Sequence, residues 1–450
     1  MKDFQVQLTF VLLANTVNSA IVLQMYPYVG LFIQSFEHLD RSDTGYYAGY
    51  LSAAFMVGRT LSSSLWGWTT DHWGRKPSLV HSLWLVGLAS MGLGLSESFG
   101  VALTFRFLCG FFNSLLVTTK TLISEVCPES YQAQAMSLQT LTRQLGAIIG
   151  TLIGILPDPM YAHLFQGTVL ETYPFLLPNA LIALLCFATA LGNQIYLRET
   201  LYTPINTDLS IPLLAEPETT GGPNTYMTLL GDNTVLLMIL IYSLTAGVNA
   251  GMNDLLPVWS WAKKKDGGLE LSIQTIGYTI ATANTVIAVI QAFTFVRLTK
   301  AKGYLWTFYC NSLCFIPLSL LVPLSYYLLD SPVLFWAYFL TTFSFWCLFC
   351  QQIFTVEYLL INNSVMRKQR GKVNGLSMTF SSLFRSATSP IFTILFAVTA
   401  TRGMAYPLNF TCAFSLTALV IALSYLLALR LPKSIERSRD YQVYTGDKLK

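Results

Sequence analysis

The chain has 450 residues, of which 53% are hydrophobic and 14% aromatic but only 11% charged, with a formal net charge of +4. Soluble domains carry roughly 25% charged residues, so this composition excludes an ordinary water-soluble globular protein and makes lipid the main solvent of the chain. The positive excess is spread along the sequence instead of gathered in one basic domain, which excludes a nucleic-acid-binding module.

Twelve apolar runs follow one another at 6–29, 45–66, 78–96, 101–122, 135–156, 175–196, 233–257, 272–296, 304–328, 333–359, 373–398 and 408–430. About 20 apolar residues cross the hydrocarbon as a helix, which pairs its own backbone groups where water is absent. The sequence therefore predicts an all-α polytopic membrane protein with twelve transmembrane helices. Lys2 is the lone positive charge beside the first run, and Asn15, Asn18 and Gln24 interrupt its apolar face. That is not a signal-peptide profile, so the run is read as a retained first helix.

Lys and Arg near helix ends mark the cytoplasmic side. With both termini inside, that side holds Lys2, Arg75, Lys76, Lys120, Arg198, Arg297, Lys300, Lys302, Arg367, Lys368, Arg370, Lys372 and the six basic residues of 430–450, eighteen in all. The opposite side holds five: Arg41, Lys263, Lys264, Lys265 and Arg402. Arg59, Arg106, Arg143 and Arg385 fall within the spans.

Residues 198–231 have a Pro, Thr, Gly and Asn composition without helical period. The predicted organisation is thus a first six-helix bundle at 1–197, a cytoplasmic linker at 198–231, a second bundle at 232–432 and a tail at 433–450. Ala135-Met136-Ser137-Leu138 opens the fifth span much as Gly375-Leu376-Ser377-Met378 opens the eleventh, each followed by a mid-span Arg. Two pseudo-repeated bundles of this kind rock against each other in secondary transporters.

The segment Trp66 to Pro77 is the most telling: Gly67, Asp71 four residues on, then Gly74-Arg75-Lys76. Gly67 and Gly74 permit close helix approach and a tight turn, and Asp71 can bond a helix N-terminus or pair with Arg75. This pattern resembles the loop between the second and third helices of the major facilitator superfamily. The resemblance implies a conformational latch made by Gly67, Asp71, Gly74, Arg75 and Lys76, with Glu125 at the end of the fourth span as a partner. The corresponding second-half loop, Arg297 to Gly303, keeps basic residues and a Gly but has no Asp.

The fourth span carries Arg106, with Gly110 four residues on and Asn113 seven on, so that all three share a helical face and one cavity. Its Arg-then-Gly pattern resembles a helix-4 motif of proton-coupled members; the alternative is an Arg held by backbone carbonyls for packing. In the fifth span Arg143 precedes Gly146, Gly150 and Gly154. This resembles the antiporter motif, with Thr151 where the pattern has Pro and Ile155 where it has Gly, and the stripe can equally serve close helix packing. With Gly58-Arg59, Tyr173 to Pro178, Arg198-Glu199-Thr200 and Gln369 to Thr379, the chain resembles the zinc-induced-facilitator-like, drug:proton antiporter branch.

In that fold the first, fourth, seventh and tenth helices line the cavity. The resemblance therefore nominates Asn15, Asn18, Arg106, Asn113, Tyr242, Asn249, Asn253 and Gln351 as cavity residues, each of which can instead be an interhelical hydrogen bond. Asp254 and Glu357 are the carboxylates of the spans and the proton-coupling candidates, with Arg106 as charge partner; Asp254 matches an acidic residue of the related branch. The four His residues (38, 72, 81 and 163) have no metal-ligand spacing, residues 201–231 contain none, and no phosphate-binding loop occurs. Cys310, Cys314, Cys347 and Cys350 sit in apolar runs and read as small hydrophobes.

The expected function is secondary active transport of a small amphipathic or anionic organic solute by alternating access, as proton-coupled antiport, in a plasma or vacuolar/lysosomal-type membrane. A facilitative uniporter and a non-transporting receptor or scaffold of the same fold are the alternatives. No enzyme activity, cofactor, metal or nucleic-acid partner is expected; the partners are a solute, protons and the bilayer around a monomer.

Overall fold

In the computed structural model, residues 2–37, 44–127, 129–159, 166–200, 229–366, 369–401, 405 and 408–437 are described. Most of the expected linker, 201–228, and most of the tail lie outside them. The described residues are helical, without strands: α1 (Lys2–Leu23), α2 (Val29–Glu37), α3 (Thr44–His72), α4 (Arg75–Gly94), α5 (Phe99–Phe111), α6 (Leu115–Val126), α7 (Glu129–Gly154), the single turn α8 (Val169–Thr172) and α9 (Leu176–Tyr196). After the linker come α10 (Asn233–Trp261), α11 (Ile273–Lys302), α12 (Tyr304–Leu321), α13 (Pro332–Asn363), α14 (Arg370–Thr401) and α15 (Cys412–Ala428).

Every predicted span overlaps one of these helices, and eight of the described segments are long and apolar enough to cross a membrane. The remaining spans differ for local reasons. Helices α3 and α7 have the length, 29 and 26 residues, but carry buried polar side chains such as Ser62, Thr69, Gln139 and Gln144. Helix α15 is 17 residues long.

Two spans predicted as continuous are broken. The first stops at Leu23 and resumes as α2 at Val29, because Pro27 has no N–H to continue the ladder. The break is sealed by a buried network. Gln24 Nε2 donates to Asn179 Oδ1 at 3.0 Å, Tyr28 Oη donates to Gln24 Oε1 at 3.2 Å, and Ser90 Oγ donates to Asn179 Oδ1 at 3.1 Å. The fourth span breaks between α5 and α6. There Ser82 of α4 donates to Phe112 O at 2.6 Å and accepts from Ser114 N at 3.1 Å, satisfying backbone groups that lipid would leave unpaired.

Glycine seams bring helices together at backbone distance. A Cβ at Gly110 would lie 2.0 Å from Phe55 O, joining α5 to α3. A Cβ at Gly146 would lie 2.0 Å from Thr16 O and one at Gly154 2.1 Å from Gln24 O, so the α7 stripe seats on α1. Gly67 differs: an added Cβ there has nothing within 4 Å, so the close approach expected at that position is absent.

Helices from the two sides of the linker meet at one end. Trp261 of α10 lies against Gly30, Pro390 and Thr393 of α14 against Gly49, and Ile155 just beyond α7 against Gly277 of α11. Gln274 N of α11 donates to Asp158 Oδ2 at 3.4 Å. The opposite end carries the basic elbows. On α3, Gly67 is eighteen residues past Gly49, about five turns, and so lies on the same face. On α14, Gly375 stands in the same relation to Thr393, and a Cβ there also has nothing within 4 Å. The antiparallel α3 and α14 thus touch at one end and splay at the other.

Each elbow repeats one device. Gly74 (φ 116°) and Gly303 (φ 90°) occupy the region that favours glycine, each just before a helix starts. Glu199 accepts from Arg75 N at 2.9 Å and Lys76 N at 3.1 Å. Glu436 accepts from Tyr304 N at 2.6 Å and Leu305 N at 2.7 Å. A carboxylate from beyond the last helix of each half therefore caps the helix N-terminus, where orphan N–H groups and the dipole favour negative charge.

Gly146→Leu is expected to lower the midpoint of thermal unfolding in detergent, since overpacking costs about 1–3 kcal/mol. Gly67→Ala should leave the midpoint unlowered or raise it, since the methyl meets open space and Ala is the better helix former by about 1 kcal/mol. Glu199→Ala and Glu436→Ala should each lower it by an amount corresponding to about 1 kcal/mol, the value of a lost cap, with Gln at either position recovering part of the loss.

Candidate functional site

The splayed region between α3, α6 and α7 on one side and α10, α13 and α14 on the other gathers four basic residues of the spans. Arg59 of α3, Lys120 of α6, Arg143 of α7 and Arg385 of α14 are all half-buried, and Lys120 lies within electrostatic range of the other three. Aromatic rings separate them. Arg385 Cζ is 5.5 Å from the Phe354 ring centre, Lys120 Nζ is 4.7 Å from that of Tyr358, and Tyr242 meets Phe354 edge-on at 5.2 Å. Among the described residues none of these four cations has a carboxylate within ion-pair distance.

On the first-half wall, Arg59 Nη2 donates to Asn113 Oδ1 at 3.4 Å, and Asn113 Nδ2 donates to Asn18 Oδ1 at 3.0 Å. Arg106 is 3% exposed, with its guanidinium 4.6 Å from the Phe55 ring centre and its Nε without a partner. The break after α5 ends the face shared by Arg106 and Asn113, so Asn113 bonds Arg59 and Asn18 while Arg106 stacks on Phe55. Asn15 is turned away: its Nδ2 donates to Gln139 O at 2.8 Å and Thr142 Oγ1 at 3.0 Å, tying α1 to α7.

On the second-half wall, Asn253 Nδ2 donates to Asn249 Oδ1 at 3.2 Å, and Asn249 Nδ2 donates to Cys350 Sγ at 3.3 Å. Tyr242 Oη points to Met378 Sδ at 3.9 Å, and Gln351 is half-buried on α13. Glu357 is 0% exposed; its Oε1 accepts from Thr245 Oγ1 at 2.7 Å and its Oε2 has no partner.

Asp254 sits in the closed end. It is 6% exposed and accepts from Ser389 of α14, with Tyr26, Ser52 and Arg106 in electrostatic range. Four elements, α3, α10, α14 and the break after α1, converge on this one carboxyl. The two acids are thus held in different places, Asp254 in the packed end and Glu357 on α13 bonded to Thr245 of α10.

At the elbow, Arg75 Nε lies 3.2 Å from Glu125 Oε1, and Arg75 Nη1 donates to Thr70 O at 2.6 Å. Lys76 contributes its backbone N–H to Glu199, and Gly74 forms the turn. The side chain of Asp71 lies outside the described residues. Glu199 takes the helix-capping role that the spacing offers to Asp71; the signal for it is the Arg198-Glu199-Thr200 triplet. The grouping of Arg59, Lys120 and Arg385 with Arg143 is also not evident from linear spacing, although three of them stand out as charges inside spans. Among the described residues no three His, Cys, Asp or Glu side chains converge as a metal site would require.

Comparison with known proteins agrees with this architecture. The profile of the Major Facilitator Superfamily matches residues 8–389. A probable peptide/nitrate transporter of Arabidopsis thaliana is 29% identical over 394 residues, covering 84% of this chain and 81% of that protein. The zinc induced facilitator 1 protein of the same plant is 28% identical over 414 residues, 87% of this chain and 84% of the relative. Among solved structures, a D-xylose-proton symporter superposes with a TM-score of 0.74 at 11% identity, over 97% of this chain and 100% of the other. With a superfamily profile running over most of its length and a matching helical architecture, the chain belongs to the major facilitator superfamily and is a multi-pass membrane transport protein.

Proposed function

We propose that the chain is a secondary active transporter that exchanges a small organic solute, amphipathic or anionic, for protons by alternating access. The observation that carries the reading is the splay of α3 from α14: backbone-close at Gly49 and empty at Gly67 and Gly375. Two helical bundles, 1–197 and 232–432, rock about the central residues, and the chain works as a monomer. Here the end bearing Asp254 is closed and the basic end is apart. Rocking in the opposite sense brings Gly67 against Gly375, with the latch residues Asp71, Arg75 and Lys76 beside that contact and Glu125 holding Arg75.

The basic elbows face the cytoplasm together with both termini, because positive residues resist translocation. This conformation is then open inward, in a plasma membrane or a vacuolar/lysosomal-type membrane. Asp254 is reached from the far side only when the closed end parts and Tyr26, Ser52 and Ser389 release it. Glu357, bonded to Thr245 across α10 and α13, is the second site at which a proton can move. A buried ionisable group is costly in the membrane and is kept where it does work.

In proteoliposomes, uptake of the transported solute is expected to rise on imposing a pH gradient. Asp254→Asn and Glu357→Gln should each keep solute exchange while losing the gradient response. An unchanged response in both variants would exclude proton coupling at these acids, and a lack of flux under every gradient would exclude transport. Gly67→Trp should fold normally and stop net flux, since the bulky ring occupies the space into which α14 must close; full flux in this variant would rule out the Gly67–Gly375 contact.

A further inference from the structure

Among the described residues, the four cations of the splayed region have no carboxylate within ion-pair distance, and that imbalance has a chemical meaning. Arg59, Lys120, Arg143 and Arg385 come from four helices and share one half-buried space. Placing like charges together away from bulk water is unfavourable, because low dielectric strengthens their repulsion and removes hydration. Glu357 is fully buried and engaged with Thr245, and Asp254 is bound within the closed end. Donors remain unused as well: Arg143 Nη2 and Arg385 Nε are buried atoms without hydrogen-bond partners.

Resting on the transport reading above, we propose that this quartet binds an organic solute carrying at least two negative charges, on carboxylate or phosphate groups, and an aromatic or similarly flat body. Arg guanidinium groups offer paired donors that match carboxylate and phosphate oxygens, and Lys120 adds a point charge. Phe354, Tyr242 and Tyr358 supply flat apolar surface between the cations. A single negative charge would leave most of the positive charge uncompensated. Arg59, Lys120 and Arg143 stand on the first-half wall and Arg385 on the second, so a doubly charged solute can engage both walls. Occupancy then removes the repulsion that holds the walls apart, favouring closure of the basic end when the site is filled.

The test uses the purified full chain and probes sharing one ring: phthalate and phenyl phosphate as dianions, benzoate as monoanion, benzyl alcohol as neutral and benzyltrimethylammonium as cation. Thermal unfolding in detergent should shift upward with phthalate or phenyl phosphate, less with benzoate, and not with the alcohol or the ammonium. A response to only one dianion assigns the site to that anionic group. Arg143→Gln and Arg385→Gln should each weaken the dianion effect about tenfold or more, which is about 1.4 kcal/mol, while Arg385→Lys retains part of it.

Equal or greater stabilisation by the ammonium, no shift with either dianion, or full dianion response in both Gln variants would overturn the proposal. The wild-type series decides it alone if a variant fails to fold. Dianion binding without flux under any gradient would defeat the transport reading and leave the site standing; flux that excess phthalate and phenyl phosphate leave untouched would do the reverse.

Discussion

Hydrocarbon offers no hydrogen bonds, and much of this molecule follows from that constraint. A break in a membrane helix frees backbone groups, and between α5 and α6 they are answered by a side chain from a neighbouring helix. Ser82 closes the gap between α5 and α6, bonding both Phe112 O and Ser114 N. Gln24, Tyr28, Asn179 and Ser90 form a buried network at the interruption of the first span. Because an unpaired buried polar group costs about 1–3 kcal/mol, these side chains fix which helices can be neighbours.

The same medium removes the hydrophobic drive for helix association, leaving close contact as the main attraction between apolar helices. Glycine stripes supply it. Gly146 and Gly154 let α7 reach the carbonyls of α1, and Gly110 lets α5 reach α3, giving rigid groups of helices within the first half. Between α3 and α14 the small residues are spaced so that one end is in contact and the other is not. A rigid-body rock needs such paired contact surfaces, since packed helices have discrete arrangements and do not deform continuously.

Against this background the charges of the splayed region stand out. Other polar groups near the middle of the spans are largely used up in bonds to the protein: Asn15 to α7, Asn249 to Cys350, Asn253 to Asn249. The cations Lys120, Arg143 and Arg385 are instead edged by aromatic rings or left with spare donors. Polarity absorbed by the scaffold and polarity without a protein partner among the described residues are thereby separated.

The sequence by itself determined the class of the molecule. Runs of about 20 apolar residues mark the helices because crossing length and backbone pairing are local properties. The Gly74-Arg75-Lys76 elbow is equally legible, since a positive φ followed by a helix start is written in adjacent residues. What the linear pattern could not carry was partnership. Asn15 and Asn18 look equivalent one turn apart, yet Asn15 is bound to α7 while Asn18 joins Asn113 and, through it, Arg59. Glu199 and Glu436 lie far in sequence from the helix starts they cap, and four cations from α3, α6, α7 and α14 share one space only after the helices pack. Helix identity depends on neighbours along the chain, whereas charge balance depends on neighbours in space, and those the tertiary structure alone decided.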